Sequence, residues 1–116
     1  MDGPDVQIQA DERGTFFYFK VSGAFCARNV IDIRKHFEDA QGLGHSKFAL
    51  DLSGVIQLDS TGLGLIVNFN KTLIKQEGVL LIVNPSNEAR NSFEVSNTCK
   101  WLQIRDNIEN IDALFD

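Results

Sequence analysis

The chain has little of several things, and each shortage closes off a class of protein. Its 116 residues include two cysteines, two prolines, two histidines, one tryptophan and one tyrosine. Cys26 and Cys99 lie far apart in sequence, which makes no disulfide framework and fits a reducing compartment, so a cytoplasmic setting is expected. His36 and His45 have no metal-ligand spacing with each other or with the cysteines, so no zinc site is expected. Long apolar runs are missing as well. The longest, residues 79–83, falls far short of the roughly 20 residues that cross a bilayer. The first dozen residues carry neither a basic start nor an apolar run, so no secretory leader is expected. Positive charge is scarce: 11 Lys and Arg stand against 16 Asp and Glu, a formal net charge of −5. That balance argues against a nucleic-acid partner, whose phosphates need clustered cations.

What is present reads as a folded chain, with 43% apolar and 23% charged residues and no internal repeat or low-complexity linker. The length fits one domain, residues 1–116. Residues 6–10 alternate weakly, and a turn at Asp11-Glu12-Arg13-Gly14 leads to clear alternation over residues 15–22. There Phe17, Phe19 and Val21 point one way, while Phe16, Tyr18 and Lys20 point the other. The pair predicts a β-hairpin that ends at Gly23. The period then changes. Ala27, Val30, Ile33, Phe37 and Ala40 share one helical face, and Gly42 and Gly44 stop that helix. A short strand at 47–52, a loop at 53–59 and a helix at 60–76 follow. Residues 79–83 form a continuous apolar run that suits a central parallel strand covered on both faces. Ser86 is placed to cap a helix to about Val95, then come a short strand at 101–104 and a last helix at 107–114. The order is β-β-α-β-α-β-α-β-α. It predicts an α/β domain: a small mixed sheet with an N-terminal hairpin and parallel strands, packed with about four helices.

One segment is unusual on physical grounds. A helix opens with Asp59-Ser60-Thr61-Gly62-Leu63-Gly64, and two glycines in its first turns cost roughly 1 kcal/mol each relative to alanine. The gains that offset this are close approach of another backbone and an uncluttered surface at the helix start. Ser60 and Thr61 sit where free N–H groups and the positive end of the helix dipole would accept a phosphoryl group without melting the helix. Phosphorylation would add about −1.5 to −2 of charge to a surface of small residues and so eject a partner. Plain capping by Asp59 or Ser60 is the alternative reading of the same residues.

From Asp51 to Gly64 the chain reads Asp-Leu-Ser-Gly-Val-Ile-Gln-Leu-Asp-Ser-Thr-Gly-Leu-Gly. This resembles the signature of STAS domains of the bacterial anti-sigma factor antagonist type, Asp-Leu-Ser-x-Val-x-x-apolar-Asp-Ser-(Ser/Thr)-Gly-Leu-Gly, at nearly every position. Val21-Ser22-Gly23 and residues 79–85 resemble the family's flanking strands. The resemblance implies a STAS fold and a partner-switching role in transcription regulation. The unphosphorylated protein would bind an anti-sigma factor that is itself a serine kinase, releasing the sigma factor. Phosphorylation would block binding, and a PP2C-type phosphatase would reverse it. Carried onto this chain, the acceptor is Ser60, with Thr61 as a secondary candidate. Asp59, Ser60, Thr61, Gly62, Leu63 and Gly64 form the partner-binding helix start. Cys26 stands where family members often carry an acidic residue, which implies a differently adapted partner or slow phosphorylation. The family also supplies accessory subunits of membrane transporters, including lipid-transport ABC assemblies, and ligand-sensing modules, and these are the alternative functions.

An enzyme reading lacks its parts. Neither histidine lies near Ser60 in sequence, and there is no Gly-x-Ser-x-Gly elbow or Walker A sequence. No catalytic residue and no cofactor are expected, and ATP would belong to the kinase partner. Among the remaining residues, Phe16 and Tyr18 are expected in the core or, if uncovered, on a partner surface. Cys26 reads as a small buried side chain, Lys71 and Lys75 as solvated, and Trp101 as docking the C-terminal helix.

Overall fold

Residues 16–21 belong to a sheet whose two faces are both apolar, and the chain order dictates how each face is covered. The computed structural model describes residues 5–115. The first four residues, part of the stretch read as having no leader, and Asp116 lie outside the described residues. The elements are β1 (Val6–Arg13), β2 (Phe16–Phe25), α1 (Val30–Gly42), β3 (Lys47–Leu58), α2 (Ser60–Lys75), β4 (Val79–Val83), α3 (Asn87–Val95) and β5 (Gln103–Arg105), with short 3-10 turns at Thr98–Lys100 and Ile111–Ala113. The sheet order is β1-β2-β3-β4-β5, antiparallel between β1 and β2 and parallel thereafter. The expected α/β class and mixed sheet hold. The helix count is corrected to three α-helices among the described residues.

The hairpin loop is Gly14-Thr15, since Arg13 pairs with Phe16, and Gly14 takes φ +66° at its first position. A left-handed residue there lets the two strands keep their natural twist. Because each parallel strand adds to the same side of its predecessor, right-handed crossovers place all three helices on one face. Their stripes, Val30, Ile33 and Phe37 from α1, Ile66, Phe69 and Leu73 from α2, and Ala89 and Phe93 from α3, pack with Phe17, Phe19, Val21, Leu50 and Ile82 of the sheet.

The other face, Phe16, Tyr18, Ala49, Leu81 and Val83, is closed by Ile108, Ile111, Leu114 and Phe115. The expected last helix at 107–114 is therefore a mostly irregular strap with one 3-10 turn. Its apolar side chains recur at helical intervals because they plug a flat sheet. Asn107 at φ +55° breaks the helical path. The Asn84 side chain holds the strap from both sides, accepting from the Ile108 amide and donating to its carbonyl, each at 2.8 Å. Arg13 reaches Asp112, and Arg90 pairs with Asp106. Trp101, expected to dock a C-terminal helix, is 73% exposed instead, because no helix forms there to receive it.

β3 is twice as long as expected, and this extension positions the site. Against β2 it carries two register shifts, Lys20/Asp51 to Ser22/Gly54 and Gly23/Val55 to Ala24/Gln57. Each inserts one extra residue and breaks the two-residue alternation that marks a strand. A Cβ on Gly54 would lie 2.5 Å from the Ser22 hydroxyl, so the bulge needs glycine. The buried Asp51 carboxylate supports it, accepting the Ser53 amide at 2.9 Å and the Tyr18 hydroxyl at 2.8 Å. β2 likewise runs through Gly23 to Phe25 rather than ending at the glycine.

The Tyr18 phenol is pushed above its ordinary value of 10.0, first by burial and then by its hydrogen bond to the Asp51 carboxylate and that group's charge. The fold thus holds this proton more tightly than the unfolded chain does. Its stabilisation is complete below about pH 10 and is lost as pH rises above that value. The chain has a single tyrosine, so phenolate absorbance reads this group alone. The expected result is that ionisation in the folded chain lags behind that of the denatured chain, and that Tyr18→Phe flattens the alkaline decline in urea-melt stability.

Candidate functional site

The site forms where two helices begin side by side. Asp59 directly follows β3 and is the N-cap of α2, its Oδ1 accepting the Gly62 amide at 2.9 Å. Its other oxygen, Oδ2, accepts the Ala27 amide at 3.0 Å, in the turn that leads into α1. Its own amide donates to the Phe25 carbonyl at 3.3 Å. One half-buried carboxylate therefore joins the end of β2, the approach to α1 and the start of α2. The capping reading of this residue is correct, and the cap is also a cross-tie. From the opposite flank, the Ser92 hydroxyl of α3 donates to the Leu58 carbonyl at 2.7 Å, fixing the last residue of β3.

Beyond that anchor the other five motif residues divide. Ser60, Thr61 and Gly64 are exposed, while Gly62 and Leu63 turn inward and are buried. The Ser60 and Thr61 hydroxyls have no hydrogen-bond partner among the described residues. The two glycines answer to different demands. A Cβ on Gly62 would lie 2.5 Å from the Phe25 carbonyl oxygen and 2.8 Å from its ring, so α2 can begin against β2 only with hydrogen there. A Cβ on Gly64 would meet nothing within 4 Å. Packing thus requires the first glycine, whereas the second keeps the surface beside Ser60 bare at the cost of helix propensity.

The chemistry available is that of a displayed hydroxyl at the positive end of a helix. The amides of Ser60 and Thr61 belong to the first turn, where an α-helix leaves its N–H groups without internal acceptors, and α2 has no acidic residue in that turn. Cys26 is buried beside this corner as a free thiol. His36 contacts the Asp32 carbonyl and His45 contacts Glu12, both away from Ser60. Among the described residues no three His, Cys, Asp or Glu side chains are placed to hold a metal, and no helix is long and apolar enough to cross a membrane. The sequence reading missed the α1 side of the site. Arg34, Phe37 and Gln41 face Thr61 and Gly64 across a groove. The sequence pattern placed Phe37 in a helical stripe but did not show which helix would lie next to it.

With this geometry in view, the chain belongs to the STAS domain family, whose model matches residues 7–111. It is 31% identical over 72 residues to a candidate anti-sigma factor antagonist of Thermotoga maritima, a stretch covering 62% of this chain and 64% of that protein. The match therefore spans just under two thirds of the relative's length. Among solved structures it is similar to an anti-sigma factor antagonist from Mycobacterium paratuberculosis, with TM-score 0.79 and 17% identity, over 93% of this chain and 89% of that one. It is also similar to the anti-sigma factor antagonist SpoIIAA. The unphosphorylated form gives TM-score 0.75 at 21% identity, over 89% of this chain and 90% of that one. The phosphorylated Bacillus form gives 0.68 at 23%, over 90% and 93%.

Three substitutions separate the roles of these residues in a urea melt. Gly62→Ala is expected to destabilise by about 1–3 kcal/mol through overpacking against Phe25. Gly64→Ala is expected to stabilise by roughly 0.5–1 kcal/mol. Asp59→Ala is expected to cost about 2 kcal/mol, the upper end for a lost N-cap, because the Ala27 amide loses its acceptor too.

Proposed function

We propose that this chain is an anti-sigma factor antagonist whose binding is switched by phosphorylation of Ser60. Unmodified, it docks through the start of α2 on an anti-sigma factor with serine kinase activity and so releases a sigma factor. Phosphorylated, it does not dock, and a PP2C-type phosphatase restores the binding form. The observation that carries this reading is the Ser60 hydroxyl, exposed and unpartnered at the mouth of α2, followed at Gly64 by a glycine that packing does not require. The resemblance of the Asp59-Ser60-Thr61-Gly62-Leu63-Gly64 motif supports it. So does the likeness of the fold to SpoIIAA, a protein solved in both phosphorylated and unphosphorylated form.

The physics of the switch is local. A phosphoryl group on Ser60 adds about −1.5 to −2 of charge where the helix dipole and first-turn amides tolerate it, so α2 stays folded. The docking surface changes sign and gains bulk while the core beneath it is unmoved. The Asp59 carboxylate accepts one amide on each oxygen and so serves the corner as its cap and cross-tie. The hydroxyl is an acceptor of phosphate that a partner's catalytic groups must supply.

Incubation with ATP and each serine kinase of the histidine-kinase-like ATPase fold from the same organism is expected to find one that adds a single phosphate at Ser60, and none with Ser60→Ala. Calorimetry should show Ser60→Asp binding that kinase at least about tenfold more weakly, roughly 1.4 kcal/mol. Equal binding by wild type and Ser60→Asp would count against the switch.

A further inference from the structure

We infer that β1 is a dimerisation edge, along which two copies of the chain pair antiparallel about a two-fold axis at Gln9 and join their sheets into one. The two edges of the sheet are built differently. β5 is three residues long and ends in Arg105. β1 runs eight residues in unbroken register with β2, with no bulge, proline or lysine. Its charges are confined to one end, Asp11-Glu12-Arg13, while residues 6–10, Val-Gln-Ile-Gln-Ala, carry none. Shortness, bulges, proline and lysine are the usual devices that keep an edge strand from pairing, and β1 has none of them. Among the described residues no strand pairs with its outer side.

Backbone direction and charge select a second copy as the occupant. The Asp5 carbonyl accepts the Ala24 amide at 3.1 Å, and Arg13 pairs with Phe16 across the hairpin loop. Both mark the odd-numbered residues of β1 as those whose amides and carbonyls turn to β2. The amides and carbonyls of Val6, Ile8, Ala10 and Glu12 therefore point outward. An antiparallel copy must set even residues against even residues, and the longest overlaps put the axis at Ile8, Gln9 or Ala10. With the axis at Gln9, Val6 meets Glu12 of the second copy and Ile8 meets its Ala10, so every outward donor and acceptor in β1 is used. Gln9 then faces Gln9, Gln7 faces Asp11, and Asp5 faces Arg13, which already reaches Asp11 and Asp112. No like charges stand opposed. An axis at Ile8 sets Asp5 against Asp11 and Glu12 against Pro4, which has no N–H to give. An axis at Ala10 leaves Val6 opposite the turn at Gly14. Val6 and Ile8 are half-buried against the core on the helix side of the sheet, and the second copy's Ala10 beside Ile8 extends that apolar strip across the axis. The pairing uses no residue of the Asp59 corner, so the dimer displays two Ser60 hydroxyls.

Sedimentation equilibrium of the intact chain tests the pairing, and a mass that climbs from monomer to dimer with concentration is expected. Ala10→Pro removes an outward N–H and none that β2 uses, and it should weaken the dimer at least about tenfold while the monomer stays folded by circular dichroism. Gln9→Lys changes an exposed side chain and opposes two ammonium groups at the axis. It should weaken the dimer by a similar factor, and it reads the same edge if the proline perturbs β1. The register is checked by cross-linking with oxidised glutathione in a Cys99→Ser background. Gln9→Cys should give a disulfide-linked dimer, because a non-hydrogen-bonded pair at the axis brings its Cα atoms to about 4.5 Å. Gln7→Cys, opposite Asp11, should not. A chain that stays monomeric at every concentration overturns the proposal, as does a dimer that neither Ala10→Pro nor Gln9→Lys weakens. A disulfide that forms as readily at position 7 as at position 9 overturns the axis at Gln9.

Discussion

The carboxylate of Asp59 is the constraint on which the site depends. Its two oxygens accept amides from two different segments, Gly62 in α2 and Ala27 before α1. Hydrogen bonds to an ionised acceptor are about twice as strong as neutral ones. Together they bring the starts of both helices to one corner. That corner has to be rigid for a displayed hydroxyl to serve as a switch, because a frayed helix end would offer Ser60 in many geometries and no single surface. Glycine at position 62 completes the arrangement, since any side chain would push α2 off the Phe25 carbonyl.

A second constraint is the direction in which the sheet is wound. Each strand after β2 is added on the same side as its predecessor, so every crossover helix falls on one face. This makes α1 and α2 parallel neighbours and creates the groove between them. It also leaves the opposite face, with Phe16 and Tyr18, to be covered by something other than a helix. The strap does this with isolated apolar side chains, and Asn84 fixes its course by bonding both polar groups of Ile108. The positioning of the site and the need for the strap thus follow from one topological fact.

The sequence was most legible where one side-chain pattern had one physical cause. Alternation in 16–21 showed both faces of β2, Asp59 marked the start of α2, Ser86 capped α3 by accepting the Ala89 amide, and the apolar run of β4 lies between two parallel neighbours. It misled where a pattern had two causes. The bulges around Gly54 erased the strand period of β3 and imitated a loop. Ile108, Ile111 and Leu114 imitated a helix while plugging a sheet. At the site, the cost of two glycines indicated that something was gained, and the structure separates close packing at Gly62 from openness at Gly64. The groove was illegible because it belongs to neither helix alone.

The strap has a consequence for how the chain comes into being. Every residue of the face it covers belongs to β2, β3 or β4, whereas residues 108–115 follow every strand of the sheet. During synthesis the earlier segments emerge and pair first. A nascent molecule therefore carries a bare aromatic face from the docking of β4 until residues 108–115 leave the ribosome. Over that interval it offers a holding chaperone an apolar platform that the finished molecule conceals.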